Sequence, residues 1–156
     1  MSATESNGGV QHGFVYEDDP DLPGWKLWSL TDTSRFNSIF GPLSVLVEND
    51  VARVRFSPKH MHSNLRGDVH GGALLGFMDM ALFAAGRAFG VLSAGTAATL
   101  DLSAQFIAGA PVPTGAVEAR VELLRETRRF LFMRGLIVQE EAIIANFSGT
   151  VRKPAS

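Results

Sequence analysis

The hydrophobic pattern of the chain changes near its middle. From Gly71 or Gly72 to the region between Gly86 and Gly90, apolar residues occur on every side of a helical projection. A helix that is apolar all round is a buried one, so this pattern predicts one long central helix. The apolar positions that define it are Ala73, Leu74, Leu75, Phe77, Met78, Met80, Ala81, Leu82 and Phe83.

On both sides of this helix the chain alternates between apolar and polar positions, which is the period of half-buried strands. Before the helix, the alternation predicts two strands joined by a tight turn at Asn49-Asp50. After it, the alternation predicts four more, with a turn at Glu140-Glu141 between the last two. The six predicted strands cover residues 43–48, 51–57, 97–107, 116–125, 130–139 and 142–151.

Strands grouped around a single helix do not form a doubly wound βαβ series, so we expect an α+β fold with an antiparallel sheet. A curved sheet of about six strands, wrapped around the helix, would bury all faces of the helix. The last four strands are expected to follow one another as a meander. Residues 1–33 are rich in acidic and turn-forming residues, and we interpret them as a partly flexible N-terminal arm. The single domain is then expected over residues 34–153.

Composition limits the classes of function. The chain has 156 residues, 46% of them hydrophobic, which suits one domain with one core. Only 19% are charged, against about 25% in average proteins, which indicates either a bare surface or one partly buried in an oligomer. A net charge of -2 argues against a nucleic-acid partner. The absence of cysteine excludes disulfides and thiolate nucleophiles.

Targeting and membrane signals are not recognised in the sequence. The first ten residues lack the basic start and apolar stretch of a signal peptide. The longest run with little charge covers residues 71–86 and carries Asp79 in its middle, whereas a bilayer span needs about 20 apolar residues. We therefore expect a soluble, cytoplasmic protein with no membrane partner.

Asp79 is the only ionisable residue between Gly71 and Gly86. A carboxylate that is buried without a partner costs free energy, which makes Asp79 a candidate functional group. Two structural alternatives remain open: Asp79 caps another element, or it faces solvent on a helix that is less buried than the pattern indicates.

A second candidate lies at the start of the helix, in His70-Gly71-Gly72. The first N–H groups of a helix have no intrahelical partner, and glycines let a substrate approach them closely. Such N–H groups can form an oxyanion hole, although a flexible start of the helix is the simpler interpretation. Gly71 and Asp79 are eight residues apart, or about 12 Å along the axis. If both act in one reaction, they must come from two copies of the chain.

Together, these residues resemble a known family. The run His62-Ser63-Asn64-Leu65-Arg66-Gly67-Asp68-Val69-His70-Gly71-Gly72-Ala73, followed by Asp79, resembles the signature of hot-dog-fold acyl-CoA thioesterases of the PaaI-like (phenylacetic acid degradation-type) group. That signature combines an Asn, a Gly, a His-Gly-Gly and an Asp eight residues after the first paired glycine. The resemblance extends over roughly residues 41–152, and the predicted order of elements matches the hot-dog arrangement.

The resemblance implies hydrolysis of acyl-CoA thioesters to the free acid and CoA. By it, Asp79 is the general base or the nucleophile, and the Gly71 amide is the oxyanion donor. Asn64 would position the attacking water or the thioester, and His70 would support the loop or the carbonyl contact. Thr99 corresponds to a serine that holds the water in some members.

The resemblance also implies an assembly and a substrate class. It calls for a homodimer that completes the site, and for a tetramer built as a dimer of dimers. No cofactor is expected, since CoA is part of the substrate. The resemblance does not specify the identity of the acyl group.

Other interpretations are retained. A hot-dog hydratase or dehydratase would commonly pair a His with a carboxylate, and a non-catalytic acyl-CoA binding protein would not require both Asp79 and Asn64.

Two further clusters are weaker candidates. The residues His60, His62, Asp68 and His70 could hold a metal, but their spacing matches no strong motif, and none is assigned. The residues Arg125, Arg128 and Arg129 could clamp the CoA phosphates or simply form a solvated turn.

Overall fold

The computed structural model describes residues 10–11, 13–93 and 96–155. Over these residues the chain forms nine strands and one α-helix, with 3₁₀ turns at Phe36–Phe40 and His60–His62. The elements are β1 (Val10–Gln11), β2 (Phe14–Asp18), β3 (Lys26–Leu30), β4 (Leu43–Glu48), β5 (Val51–Phe56), α1 (Gly71–Ala88), β6 (Ala98–Phe106), β7 (Val117–Glu126), β8 (Phe130–Gln139) and β9 (Ala142–Arg152).

The described strands form a single sheet in the order β1-β2-β3-β4-β5-β7-β8-β9-β6. Every neighbouring pair is antiparallel, which confirms the predicted sheet type. The predicted number of about six strands is wrong, because β1, β2 and β3 extend the sheet from the segment that we interpreted as an arm. Residues 1–9 of that arm lie outside the described residues, and the domain boundary after residue 33 stays a prediction.

The predicted meander of the last four strands is also wrong. β7, β8 and β9 are joined by short turns and pair in sequence, but β6 pairs with β9 at the far edge of the sheet. β7 pairs instead with β5, which precedes the helix. The two strands that flank the helix in sequence, β5 and β6, are therefore not neighbours in the sheet.

The helix packs against strands across most of the sheet, from β4 and β5 through β7 and β9 to β6. The six strands from β4 to β6 span about 24 Å at ~4.8 Å per strand, whereas a helix is about 10 Å wide. The sheet therefore has to curve around the helix, as predicted. Phe77, Met78 and Leu82 are completely buried in the resulting core. None of the helices in the described part of the chain has the length and apolar character of a membrane crossing.

One stripe of the helix is not buried. Gly72 is exposed, the Leu75 side chain is 37% exposed, and Asp79 and Phe83 are half-buried. These positions are three or four residues apart, so they share one face of the helix. The prediction of a helix buried on all sides is thus wrong for this face, which carries the candidate carboxylate.

A charged cluster ties strands together on the outer face of the sheet. The Glu118 side chain is 5% exposed and accepts hydrogen bonds from three guanidinium groups. The donors are Arg55 Nε at 2.5 Å, Arg120 Nε at 2.7 Å and Arg53 Nε at 3.2 Å. Trp25, just before β3, lies 4.4 Å from the Arg55 guanidinium, measured to the ring centroid. The cluster therefore fastens the N-terminal strands to β5 and β7.

Candidate active site

The start of the helix is held by His70. The Nδ1 atom of His70 accepts a hydrogen bond from the Gly72 N–H at 2.8 Å, so His70 is the N-cap residue. Its own N–H donates to the His62 carbonyl at 2.7 Å, and its carbonyl accepts from the Leu74 N–H at 3.0 Å. The Gly71 N–H lies in the first turn and has no intrahelical acceptor. This donor is available to an external oxygen.

Asn64 organises the loop before the helix. Its Oδ1 atom accepts from the N–H groups of Arg66 at 2.9 Å and Asp68 at 3.2 Å. The Asn64 N–H donates to the Asp68 carbonyl at 2.8 Å. The side-chain oxygen is therefore committed to the loop, and the side-chain NH₂ is the group that can donate to another molecule.

Phe106 lies against the start of the helix. The sequence did not predict this contact. A Cβ atom on Gly71 would lie 3.7 Å from the Phe106 ring. Phe106 is at the C-terminal end of β6 and is half-exposed. Strand alternation alone could not identify this contact, because it depends on which end of β6 meets the helix.

The carboxylate is held at the other end of β6. The Thr99 hydroxyl donates to Asp79 Oδ1 at 2.5 Å, and both residues are half-buried. Asp79 therefore has a neutral hydrogen-bond partner and does not cap a neighbouring helix. Within the described residues, no hydrogen bond to Asp79 Oδ2 is recorded, so that oxygen can accept from a water or a substrate.

One chain thus carries two half-sites and does not bring them together. The first half-site consists of Asn64, His70 and Gly71 at the start of the helix, and the second consists of Asp79 and Thr99. Eight helical residues separate Gly71 from Asp79, which corresponds to about 12 Å along the axis. A single reacting carbon cannot contact both.

His62 has a structural role. It is 3% exposed, its Nδ1 accepts from the Lys59 N–H at 2.8 Å, and its Nε2 lies 2.6 Å from the Ile39 carbonyl. The ring also stacks on Phe40. Both ring nitrogens are committed to hydrogen bonds, which leaves neither for a metal. In the residues that the structure describes, no group of three His, Cys, Asp or Glu side chains is placed to bind a metal ion.

The arginines of the β7–β8 turn are exposed. Arg125 is near the end of β7, and Arg128 and Arg129 lie in the turn itself. The nearby Lys153 ammonium pairs with Glu126 at 2.8 Å. Binding of the CoA phosphates by these arginines stays a prediction, because arginines in an ordinary solvent-exposed turn would be placed in the same way.

Comparison with known proteins identifies the family of the chain. The family model described as the thioesterase superfamily matches residues 66–144, about half of the chain. The protein therefore belongs to the thioesterase superfamily. A search of curated proteins found no match.

Solved structures extend the comparison beyond the matched segment. The TT0310 protein of Thermus thermophilus is 29% identical with a TM-score of 0.62, covering 76% of this chain and 96% of that one. A mutant of the phenylacetic acid degradation protein PaaI from the same organism is 28% identical with a TM-score of 0.62, covering 76% and 97%. These similarities confirm the resemblance to PaaI-like hot-dog thioesterases and the hot-dog fold.

Proposed function

We propose that the protein hydrolyses acyl-CoA thioesters to the free acid and CoA, in a site that two subunits form together. The observation that carries the proposal is the division of the site along one helix. The helix start offers an uncommitted N–H donor at Gly71, and Asp79, two turns further on, offers a carboxylate held by Thr99.

The edge strand β6 supplies a way to combine the half-sites. In the described sheet β6 pairs only with β9, and a free strand edge is a template for pairing with another chain. Antiparallel two-fold pairing of β6 with itself, centred on Ser103, sets Leu100 opposite Phe106 of the partner subunit and so places that residue next to Thr99. Because Thr99 contacts Asp79 and Phe106 contacts Gly71, this register brings Asp79 close to the partner's Gly71.

Exposed apolar side chains support the same pairing. Leu100, Phe106 and Ile107 are each about half-exposed along or just beyond β6. A second copy would cover them, and the low charge content of the chain agrees with a shared surface. Further association of two dimers into a tetramer is proposed from the family resemblance, as is a cytoplasmic location.

In the proposed reaction, the thioester carbonyl oxygen accepts a hydrogen bond from the Gly71 N–H. The positive end of the helix dipole stabilises the negative charge that develops on this oxygen. Asp79 of the other subunit either removes a proton from the attacking water or attacks the carbonyl carbon itself. In the second route the resulting mixed anhydride is hydrolysed by water. In both, the C–S bond breaks and CoA leaves as the thiolate, which is then protonated.

The remaining residues position these groups. The Asn64 NH₂ donates to the attacking water or to the thioester, because its oxygen is committed to the loop. His70 holds the first turn of the helix, and Thr99 orients the Asp79 carboxylate. No cofactor takes part. A hydratase or dehydratase is not favoured, because His70 caps the helix in its own chain and is not paired with Asp79 there.

The activity is tested by measuring the release of free CoA thiol from a panel of acetyl-, hexanoyl-, octanoyl- and phenylacetyl-CoA. We expect steady turnover of at least one of them with typical enzyme kcat values of about 1–10³ s⁻¹. An enoyl-CoA is included, because a hydratase would consume it without releasing thiol. Absence of thiol release from the whole panel would refute the proposal.

The shared site is tested by exchange of subunits between two inactive variants. Asp79→Asn and Asn64→Ala lie in different half-sites, so each heterodimer contains one intact site and one doubly altered site. Random exchange is expected to restore about a quarter of the wild-type activity. The matched control mixes Asp79→Asn with Asp79→Ala, which lie in the same half-site and leave a lesion in every site. Equal recovery in both mixtures would contradict a site between subunits.

A further inference from the structure

A cavity of about 330 Å³ lies beside the helix, on the side opposite β6. Met80, the helix residue in its lining, follows Gly71 by nine residues. At about 100° per residue this places Met80 on the opposite side of the helix from Gly71, which contacts β6. The rest of the lining comes from the segment around the end of β3 and the 3₁₀ turn, including Leu30, Ser38 and Pro42.

The walls of this cavity are held in place. The Thr31 N–H and hydroxyl both donate to the Gly13 carbonyl, at 2.9 and 3.2 Å, and fix the end of β3. The Gly41 N–H donates to the Ser38 carbonyl at 3.0 Å and closes the 3₁₀ turn. Phe40 of that turn is buried in the core. The cavity is therefore a formed feature of the fold.

The cavity is close to the carboxylate of the proposed site. Met80 is the residue after Asp79, so their Cα atoms are about 3.8 Å apart. Gly76, one turn earlier, lies on the helix surface between the two positions and has no side chain to separate them. The exposed ring of Phe36 packs over it, 3.2 Å from where its Cβ would be. A chain from Asp79 would therefore reach the cavity past the Phe36 and Phe40 rings that cover Gly76.

The size and lining of the cavity select a class of ligand. Leu30, Pro42 and Met80 supply apolar surface, and the hydroxyl and amide groups of the lining supply hydrogen-bonding partners. At the ~30 Å³ that a water occupies in the liquid, the volume holds about eleven non-hydrogen atoms. Ligand pockets start at about this volume and combine mostly apolar walls with a few polar groups.

We propose that this cavity binds the acyl group of the thioester substrate and takes chains of about eight to ten non-hydrogen atoms. The proposal rests on the proposed function, since it extends the site at Asp79. In this proposal the N-terminal segment around β3 and the 3₁₀ turn determines the length of acyl chain that the enzyme accepts. This segment does not contain the residues that are proposed to carry out the hydrolysis.

The test compares two serine variants at exposed positions. Ser38→Trp fills the cavity, whereas Ser34→Trp places the same ring four residues away, outside the lining. Each serine loses one local hydroxyl hydrogen bond, so the pair is matched. We expect Ser38→Trp to lower kcat/KM for octanoyl-CoA by about tenfold or more relative to kcat/KM for acetyl-CoA. The same dependence of kcat/KM on acyl-chain length in both variants would overturn the proposal.

A second variant changes the cavity in the other direction. Met80→Ala removes apolar atoms from the lining and is expected to move the preferred substrate from octanoyl-CoA towards dodecanoyl-CoA. The readout is the ratio of the two kcat/KM values, which a general loss of folded enzyme does not change. An unchanged ratio in a folded variant would count against the assignment.

Failure of the proposed function is separated from failure of this inference by a binding measurement. If the wild-type protein releases no CoA from any thioester, the proposed function fails and calorimetric titration with octanoate decides the cavity. Binding to the wild type and to Ser34→Trp, with loss in Ser38→Trp, would retain the cavity as an acyl site. Equal binding by the two variants, or absence of binding to the wild type, would reject it.

Discussion

Replacement of Asp79 by Asn is expected to lower kcat for acyl-CoA hydrolysis by about 10²–10⁴-fold. Asn has the same shape and can still accept the hydrogen bond from the Thr99 hydroxyl, so the helix and β6 keep their contact. It cannot take a proton from water or act as a carboxylate nucleophile. The variant therefore removes the chemistry and retains the local structure.

The measurement is steady-state release of CoA thiol, with circular dichroism to show that the variant is folded. Thr99→Val is the control on the same contact, because it removes the hydroxyl and leaves the carboxylate. We expect a smaller loss for Thr99→Val than for Asp79→Asn, since the hydroxyl only orients the carboxylate. Turnover near the wild-type value in folded Asp79→Asn would remove Asp79 from the mechanism.

Replacement of Glu118 by Gln is expected to destabilise the fold by about 3 kcal/mol. The buried Glu118 carboxylate is the common acceptor for Arg53, Arg55 and Arg120, and the change leaves three guanidinium groups facing a neutral amide. Removing one partner of a buried ion pair is costly because the remaining charges lose their compensation. Here Arg120 still pairs with Glu141 and Arg53 with Glu48, so the cost falls mainly on Arg55. The effect should appear in stability and not in the chemistry of the site.

The same carboxylate makes stability depend on pH. Burial by itself raises the pKa of Glu118, but the hydrogen bonds from Arg120, Arg55 and Arg53 outweigh it and hold the pKa below its ordinary value. A group with a lowered pKa in the folded state stabilises the fold at pH values above its unfolded pKa. This contribution is lost as the pH falls through the folded pKa. Wild-type stability is thus expected to fall on acidification, and Glu118→Gln to show a flatter profile.

Urea unfolding at pH 7 and at several acidic pH values measures both effects, at a fixed protein concentration because association contributes to stability. Glu122→Gln is the matched control on the same strand. Glu122 pairs with Arg134 at 2.9 Å on the exposed surface, where such pairs contribute about 0–1 kcal/mol. Equal destabilisation by Glu118→Gln and Glu122→Gln would contradict the buried-cluster interpretation.

The local sequence pattern was sufficient to predict the helix and the strands from residue 43 onwards. The helix predicted from Gly71 is observed as Gly71–Ala88, and the strand predicted over residues 130–139 is observed as Phe130–Gln139. These elements are visible in sequence because the continuous apolar run of the helix and the alternation of the strands are local patterns, which depend on neighbouring residues only. Strands β2 and β3 were missed because each has only five residues and they join the rest of the sheet through the pairing of β3 with β4, a partner outside the segment.

By itself, the sequence determined the types of the main elements and placed the unusual carboxylate at Asp79 and the helix-start N–H of Gly71 eight residues apart on one helix. Only the tertiary structure decided that β6 lies at the sheet edge and that Thr99, 20 residues away, reaches Asp79. It also decided that Arg53 and Arg55 converge on Glu118. The physical reason is that periodicity records which face of an element is buried, whereas strand order and long-range contacts depend on how the chain crosses the sheet.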